Sequence, residues 1–263
     1  MFQEKLTGNQ IANREAREKY EGKIFPTNKS GNVIVTKYID SGHVKIKFIN
    51  TGSVSMVKIG DVRSGLIRDC EATTVQGVGV VGSNDENCSE TIEYMYWVTM
   101  ISRCCSPIFK ARRPTYLNAT LSENFKYFQY FKDWFYRQIG HDQEGWHLDK
   151  DILVKGNKHY SEDTCCFVPA EVNTLILNKK SARGELPIGV RLEKRGEAVK
   201  YTARLRKKGN SKHLGTFLTP EEAFYYYKEA KETYIKEVAE KWKDQIDPRV
   251  YNALMHWVVE ITD

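Results

Sequence analysis

Between residues 189 and 213, nine Lys or Arg side chains face only two acids, Glu193 and Glu197. This leaves a local charge of +7 in a chain whose net charge is +6, so all other residues together carry −1. Within the stretch, Tyr201, Ala203 and Leu205 alternate with Lys200, Arg204 and Arg206. A period of two puts each group on its own face of a strand. The pattern predicts three short strands, 189–193, 199–207 and 212–217. A long helix from Pro220 to about Lys243 follows, burying Ala223, Tyr227, Ala230 and Tyr234 under the apolar face. A cationic face confined to one place implies a polyanion as partner. A sheet this size fits a major groove, where Arg can donate two hydrogen bonds to guanine while Lys neutralises phosphate. The expected partner is double-stranded DNA. The candidate contacts are Arg191, Lys194, Arg195, Lys200, Arg204, Arg206, Lys207, Lys208 and Lys212.

A chain of 263 residues suggests two or three small domains. Hydrophobic residues at 41% and aromatics at 12% supply packed cores and argue against disorder. No apolar run nears the roughly 20 residues of a membrane span, and residues 1–20 are too polar for a secretory signal. A soluble, cytoplasmic protein without a membrane partner is expected. The cysteines at 70, 88, 104, 105, 165 and 166 include no Cys-x-x-Cys pair. No zinc is expected, and the thiols should be free and buried.

Along the chain, residues 1–20 read as a polar helix. From 22 to 69 short alternating strands are separated by glycine-containing turns, as in a small antiparallel barrel or curled sheet. Its basic residues, Lys23 and Lys47 among them, could track phosphate, and the surface is equally a candidate for homodimer or host-protein contact. Residues 77–87 read as a linker. A helix over 90–103 would carry Ile92, Met95, Tyr96, Thr99 and Met100 on one face. Another over 122–139 would align Phe125, Phe128, Phe131, Phe135 and Ile139 as core. Strands over 146–154 and 164–169 and a helix over 170–180 follow. The expected class is α+β in three parts: a helix and small β module (1–76), an α-rich ββα-metal domain (77–182), and a three-stranded sheet with helices (183–263).

The C-terminal residues resemble the AP2 DNA-binding domain of plant transcription factors and phage homing endonucleases. The resemblance rests on Gly189-Val190-Arg191, the strand from Tyr201 to Arg206, Leu214-Gly215-Thr216-Phe217, and Thr219 with Glu221-Glu222-Ala223. Arg204 stands where the plant pattern usually has an acid, so base preference does not carry over. Residues 145–173 resemble the strand–loop–strand–helix of HNH endonucleases. The likeness extends upstream through Tyr96-Trp97, Met100, Arg103-Cys104 and Pro114-Thr115-Tyr116, in wording similar to phage-encoded HNH-like proteins.

That resemblance implies a divalent cation, Mg²⁺ or Mn²⁺, to stabilise the leaving oxygen, and a base to activate water. The carboxylates of Asp149 and Asp151 would hold the metal. On a strand, His147, Asp149 and Asp151 would share one face. His147 or Lys150 would serve the water, depending on which of two registers aligns with the family's Asp/Asn-His pair, and Asn173 would orient the loop or a metal-bound water. Thr164 stands where the family's second-arm Asn belongs. The expectation is a phage-type DNA endonuclease, nicking or homing, acting in a host cytoplasm. Its alternative is a catalytically degenerate DNA-binding or phage–host interaction protein on the same scaffold.

Overall fold

A computed structural model of the chain describes residues 7–82, 88–176, 185–195, 198–207 and 209–263. The fold is mixed α+β with several small sheets. Its contacts divide into two compact units, Met1–Pro114 with Glu123–Lys132, and Thr115–Ser122 with Asp133–Asp263.

In the first unit, α1 (Gly8–Tyr20) precedes strands β1 (Ile24–Pro26), β2 (Asn32–Asp40), β3 (His43–Phe48) and β4 (Val54–Val57), and then α2 (Ile59–Ser64). The strands pair antiparallel in sequence order. Alternation sends Val33, Val35, Val44, Ile46 and Phe48 into a core with no exposed surface. Ala16 and Tyr20 of α1 and Val62 of α2 pack on the same side. Of the two forms expected for 22–69, the structure holds the open sheet and not the barrel. Its edge strands are short, and β1 ends at Pro26, which has no N–H to extend a ladder. The buried carboxylate of Asp69 accepts from the hydroxyls of Thr51 (2.6 Å) and Ser53 (2.8 Å), closing the β3–β4 turn.

Part of the expected linker folds. Strands β5 (Thr73–Val75) and β6 (Gly79–Val80) form a hairpin, and Gly79 lies so close to Trp97 and Ile101 that an added Cβ would come within 2.6 Å of a side-chain carbon. Residues 83–87 lie outside the described residues. Helix α3 (Ile92–Cys105) forms as expected but turned by part of a revolution. Ile92 and Met95 are exposed, whereas Trp97, Met100, Ile101 and Cys104 are buried. The indole decides the rotation: it donates to the Phe125 carbonyl (2.8 Å) and meets Phe128 at 5.3 Å between ring centroids. Helix α4 (Pro107–Arg112) follows, started by the Ser106 hydroxyl.

Strand β7 (Thr120–Leu121) lies in the second unit, and α5 (Phe128–Phe135) is shared between the two. The expected 122–139 helix is thus shorter. Phe125, Phe128, Phe131 and Phe135 are fully buried as expected, while Ile139 is exposed. Next come β8 (Trp146–Asp149), β9 (His159–Tyr160), β10 (Cys166–Pro169) and α6 (Ala170–Ile176). Strand β8 pairs antiparallel with β10, and β9 parallel with β7. Strands β11 (Val190–Arg195), β12 (Ala198–Lys207) and β13 (Asn210–Phe217) form the predicted antiparallel sheet. Helix α7 (Pro220–Trp242) covers one side of it, and α8 (Pro248–Met255) packs on α7. All six cysteines are free thiols; those at 88, 104, 165 and 166 are buried, and Cys70 and Cys105 are half-buried.

Candidate functional site

Cross-strand partners in an antiparallel sheet point to the same face, so the β11–β13 register sorts the cationic residues. On β12, Ala203 and Leu205 are buried on the side covered by α7. Gly189 makes this packing close. Its φ is +79°, and a Cβ there would stand 2.0 Å from the Tyr227 ring. The opposite parity, Lys200, Arg204 and Arg206, points away from the helix. Arg191 joins this face opposite Thr202, and Glu193 opposite Lys200. Arg191, Lys200 and Arg206 are exposed. Arg204 is half-exposed and lies 4.0 Å from Glu193.

Other predicted contacts fall elsewhere. Lys207 turns to the helix side, pairs with Glu237 (2.8 Å) and lies over the Tyr234 ring at 4.5 Å. By register Lys194 and Lys212 also belong to that side, opposite Val199 and Leu205. Arg195 has its backbone in β11, but its side chain, like the whole of Lys208, lies outside the described residues. The open face therefore gathers four of the seven predicted side chains that are described.

The β8–β10 pair followed by α6 gives the expected strand–loop–strand–helix order. It brings His147 and Asn173 together, with the imidazole Nδ1 2.8 Å from the amide Nδ2. The expected strand over 146–154 is cut short at Asp149. The carboxylate Oδ1 of Asp149 accepts the backbone N–H groups of Asp151 (2.8 Å) and Ile152 (2.7 Å), which turns the chain off the strand. The expected shared face is lost for the same reason: His147 is exposed, Asp149 is buried, and Asp151 sits in the turn. Burial, with the charge of Asp151 beside it, pushes the Asp149 carboxyl up to about 6. Lys150 is buried too, its ammonium 3.1 Å from Asp151 and 5.8 Å from the Tyr160 ring centroid.

Carboxylate oxygens suit a hard divalent cation, and Mg²⁺ commonly takes only one or two of them beside water and substrate phosphate. Asp151, half-exposed, and the second oxygen of Asp149 match that need. Among the described residues no three His, Cys, Asp or Glu side chains gather as a ready metal cage.

Beside this segment is a cavity of about 370 Å³. Of the sequence-predicted set, Lys150, Asp151 and Asn173 line it, whereas His147 and Asp149 are not among its described lining residues; Lys231 and Trp257, which sequence reasoning did not single out, line it as well. Lys231 lies four residues after buried Tyr227 and four before buried Ile235. A lysine on the apolar stripe of a helix was the available signal. Burial brings its amine down to about 8.

No protein-family model matches the chain, and neither the curated proteins nor the solved structures give a match.

Proposed function

We propose that the chain binds duplex DNA through the open face of the β11–β13 sheet and hydrolyses phosphodiester bonds at the β8–β10–α6 segment, as an HNH-like endonuclease of phage type. The observation that carries the reading is the gathering of Arg191, Lys200, Arg204 and Arg206 on the side of the sheet away from α7. Four cations in that layout can straddle a groove, two arginines reading base edges and the others holding phosphates.

The cutting half is supported by the pairing of His147 with Asn173. His147 can take a proton from water at Nε2 only with Nδ1 protonated, and the Asn173 amide, turned so that its oxygen accepts from Nδ1–H, holds that tautomer. Lys150, the other sequence candidate for the base, is buried against Asp151; it can position that carboxylate. A bound Mg²⁺ or Mn²⁺ would supply charge stabilisation for the leaving oxygen, with Asp149 and Asp151 as its protein ligands.

A second reading, DNA binding without cleavage, is favoured by one observation: Asp149 already uses an oxygen to hold its own turn. Plasmid incubated with Mg²⁺ or Mn²⁺ separates the two. Relaxed or linear product that disappears in His147→Ala supports the enzyme. Intact supercoils with either ion leave the binding protein. For the binding itself, Arg204→Ala with Arg206→Ala should weaken duplex affinity at least tenfold in a fluorescence anisotropy titration; unchanged affinity overturns the proposed face.

A further inference from the structure

The cavity of about 370 Å³ in the second unit falls in the size range of small-ligand sites, about 300–1,000 Å³. Four lysines line it: Lys150, Lys155, Lys158 and Lys231. Two are already neutralised. Lys150 pairs with Asp151 at 3.1 Å, and Lys155 with Asp263 at 2.8 Å. The other two, Lys158 and Lys231, have no carboxylate partner among the described residues. Lys158 is exposed at the opening.

Lys231 is the unusual one. Its ammonium has three protons to donate, and among the described residues it donates to the Leu175 carbonyl alone, at 2.6 Å. Enclosing an ammonium without an opposing charge is costly, and the lowered basicity of this amine follows from that burial. A methionine or leucine would fill the same place on the α7 stripe without the penalty. Trp257 adds an aromatic surface, and the Asn173 side chain adds an amide able to donate or accept.

The geometry points to a binding site for a phosphomonoester of mononucleotide size, its phosphate seated between Lys231 and Lys158 and its base against Trp257. The phosphate supplies the acceptors and negative charge that Lys231 lacks. The indole supplies stacking of the kind that holds bases elsewhere. The site shares Lys150, Asp151 and Asn173 with the proposed cleavage segment, but its recognition rests on Lys231, Lys158 and Trp257 and does not require that the chain cut DNA. Two sources share this chemistry, a free mononucleotide and the terminal nucleotide of a 5′-phosphorylated strand.

The test is isothermal titration of the full-length protein with dAMP, orthophosphate and deoxyadenosine. The expected result is saturable binding of dAMP, with deoxyadenosine at least tenfold weaker. Lys231→Met should lower dAMP affinity at least tenfold while its melting temperature stays at or above wild type, since the substitution removes a half-buried charge with no carboxylate beside it among the described residues. Lys158→Ala, on the exposed rim where folding is not at stake, should weaken dAMP severalfold. Displacement of dAMP by a 5′-phosphorylated oligonucleotide but not by its 5′-hydroxyl twin assigns the site to strand ends; displacement by neither assigns it to the free nucleotide. The proposal is overturned if dAMP and orthophosphate fail to saturate at 10 mM ligand (about the weakest useful range), or if Lys231→Met binds dAMP like wild type. Such a failure with duplex binding and nicking intact would strike this inference alone.

Discussion

Asp149 is the residue whose meaning changed most between sequence and fold. As an acid two positions from His147 it reads as a ligand, and nothing in the pattern says that its oxygen will first be spent on two backbone N–H groups. The two demands can be separated. Asparagine keeps an acceptor oxygen for the turn and removes the charge, so Asp149→Asn should fold like wild type and lose metal-dependent nicking. Asp149→Ala should also lose about 1–3 kcal/mol of stability, because two buried donors are left without a partner. The carboxyl further predicts a pH effect. Its pKa in the folded chain, about 6, lies above the ordinary 3.8, so folding favours the protonated form. That contribution is complete below about pH 4 and is lost as pH rises through 6. Urea midpoints at pH 4.5 and 7 should therefore show wild type weakening relative to Asp149→Asn, by on the order of 2 kcal/mol. Equal pH dependence in the two proteins would contradict the burial argument. Asp247, held low by Arg249 through hydrogen bonds and charge, contributes in the opposite sense and is common to both, so the comparison cancels it.

At the scale of elements, legibility followed the strength of the pattern. The β11–β13 sheet could be read because charge and apolar residues alternate without interruption, and β12 keeps that parity through the bulge, the extra residue Leu214 lying on β13. What alternation on one strand could not supply was the register of its neighbours, which puts Lys194 and Lys212 on the helix side; Lys207, on β12 itself, has the parity of Ala203 and Leu205, and alternation alone places it there. The fold makes that difference measurable. Lys200→Glu with Arg206→Glu, on the open face, should abolish duplex binding at 150 mM salt, whereas Lys194→Ala with Lys212→Ala should cost no more than about threefold. Binding should also fall with salt at a log–log slope of about −2, as expected for the two phosphates held by the cations that do not read bases. Helix α3 turns for a related reason: Ile92, Met95, Tyr96 and Thr99 fit one helical stripe and Trp97, Ile101 and Cys104 another, with Met100 compatible with both. Only the contact of the indole with residues 125 and 128 decides between them, and that contact is remote in sequence. The Gly189 contact belongs to this scale as well. With a left-handed φ and a tyrosine ring where a Cβ would go, Gly189→Ala should separate sheet from helix and lower stability by 3 kcal/mol or more, an estimate of about that order for strain and overpacking combined.

For the whole molecule, the division into units does not follow the order of the chain. Residues 123–132 belong with the first unit although the segment before them, 115–122, belongs with the second. The reason lies in the aromatic core. Trp97 is fully buried, and the groups around it include the Phe125 carbonyl and the Phe128 ring, with Tyr94 edge-on to Phe128 at 5.2 Å. A fragment ending at residue 114 keeps the tryptophan and loses these partners. It loses three buried phenylalanine side chains, Phe125, Phe128 and Phe131, at about 3–5 kcal/mol for each large aromatic removed from a core, against a total stability of about 5–15 kcal/mol for a typical domain. Fragment 1–114 should therefore expose the α3 indole to solvent, with red-shifted tryptophan emission and a broad thermal transition. Fragment 1–132 restores Phe125, Phe128 and Phe131 and should melt cooperatively, with blue-shifted emission from Trp97, the one tryptophan it contains. Identical emission and melting of the two fragments would mean that the first unit completes its core without residues 123–132, and the division drawn along α5 would have to move.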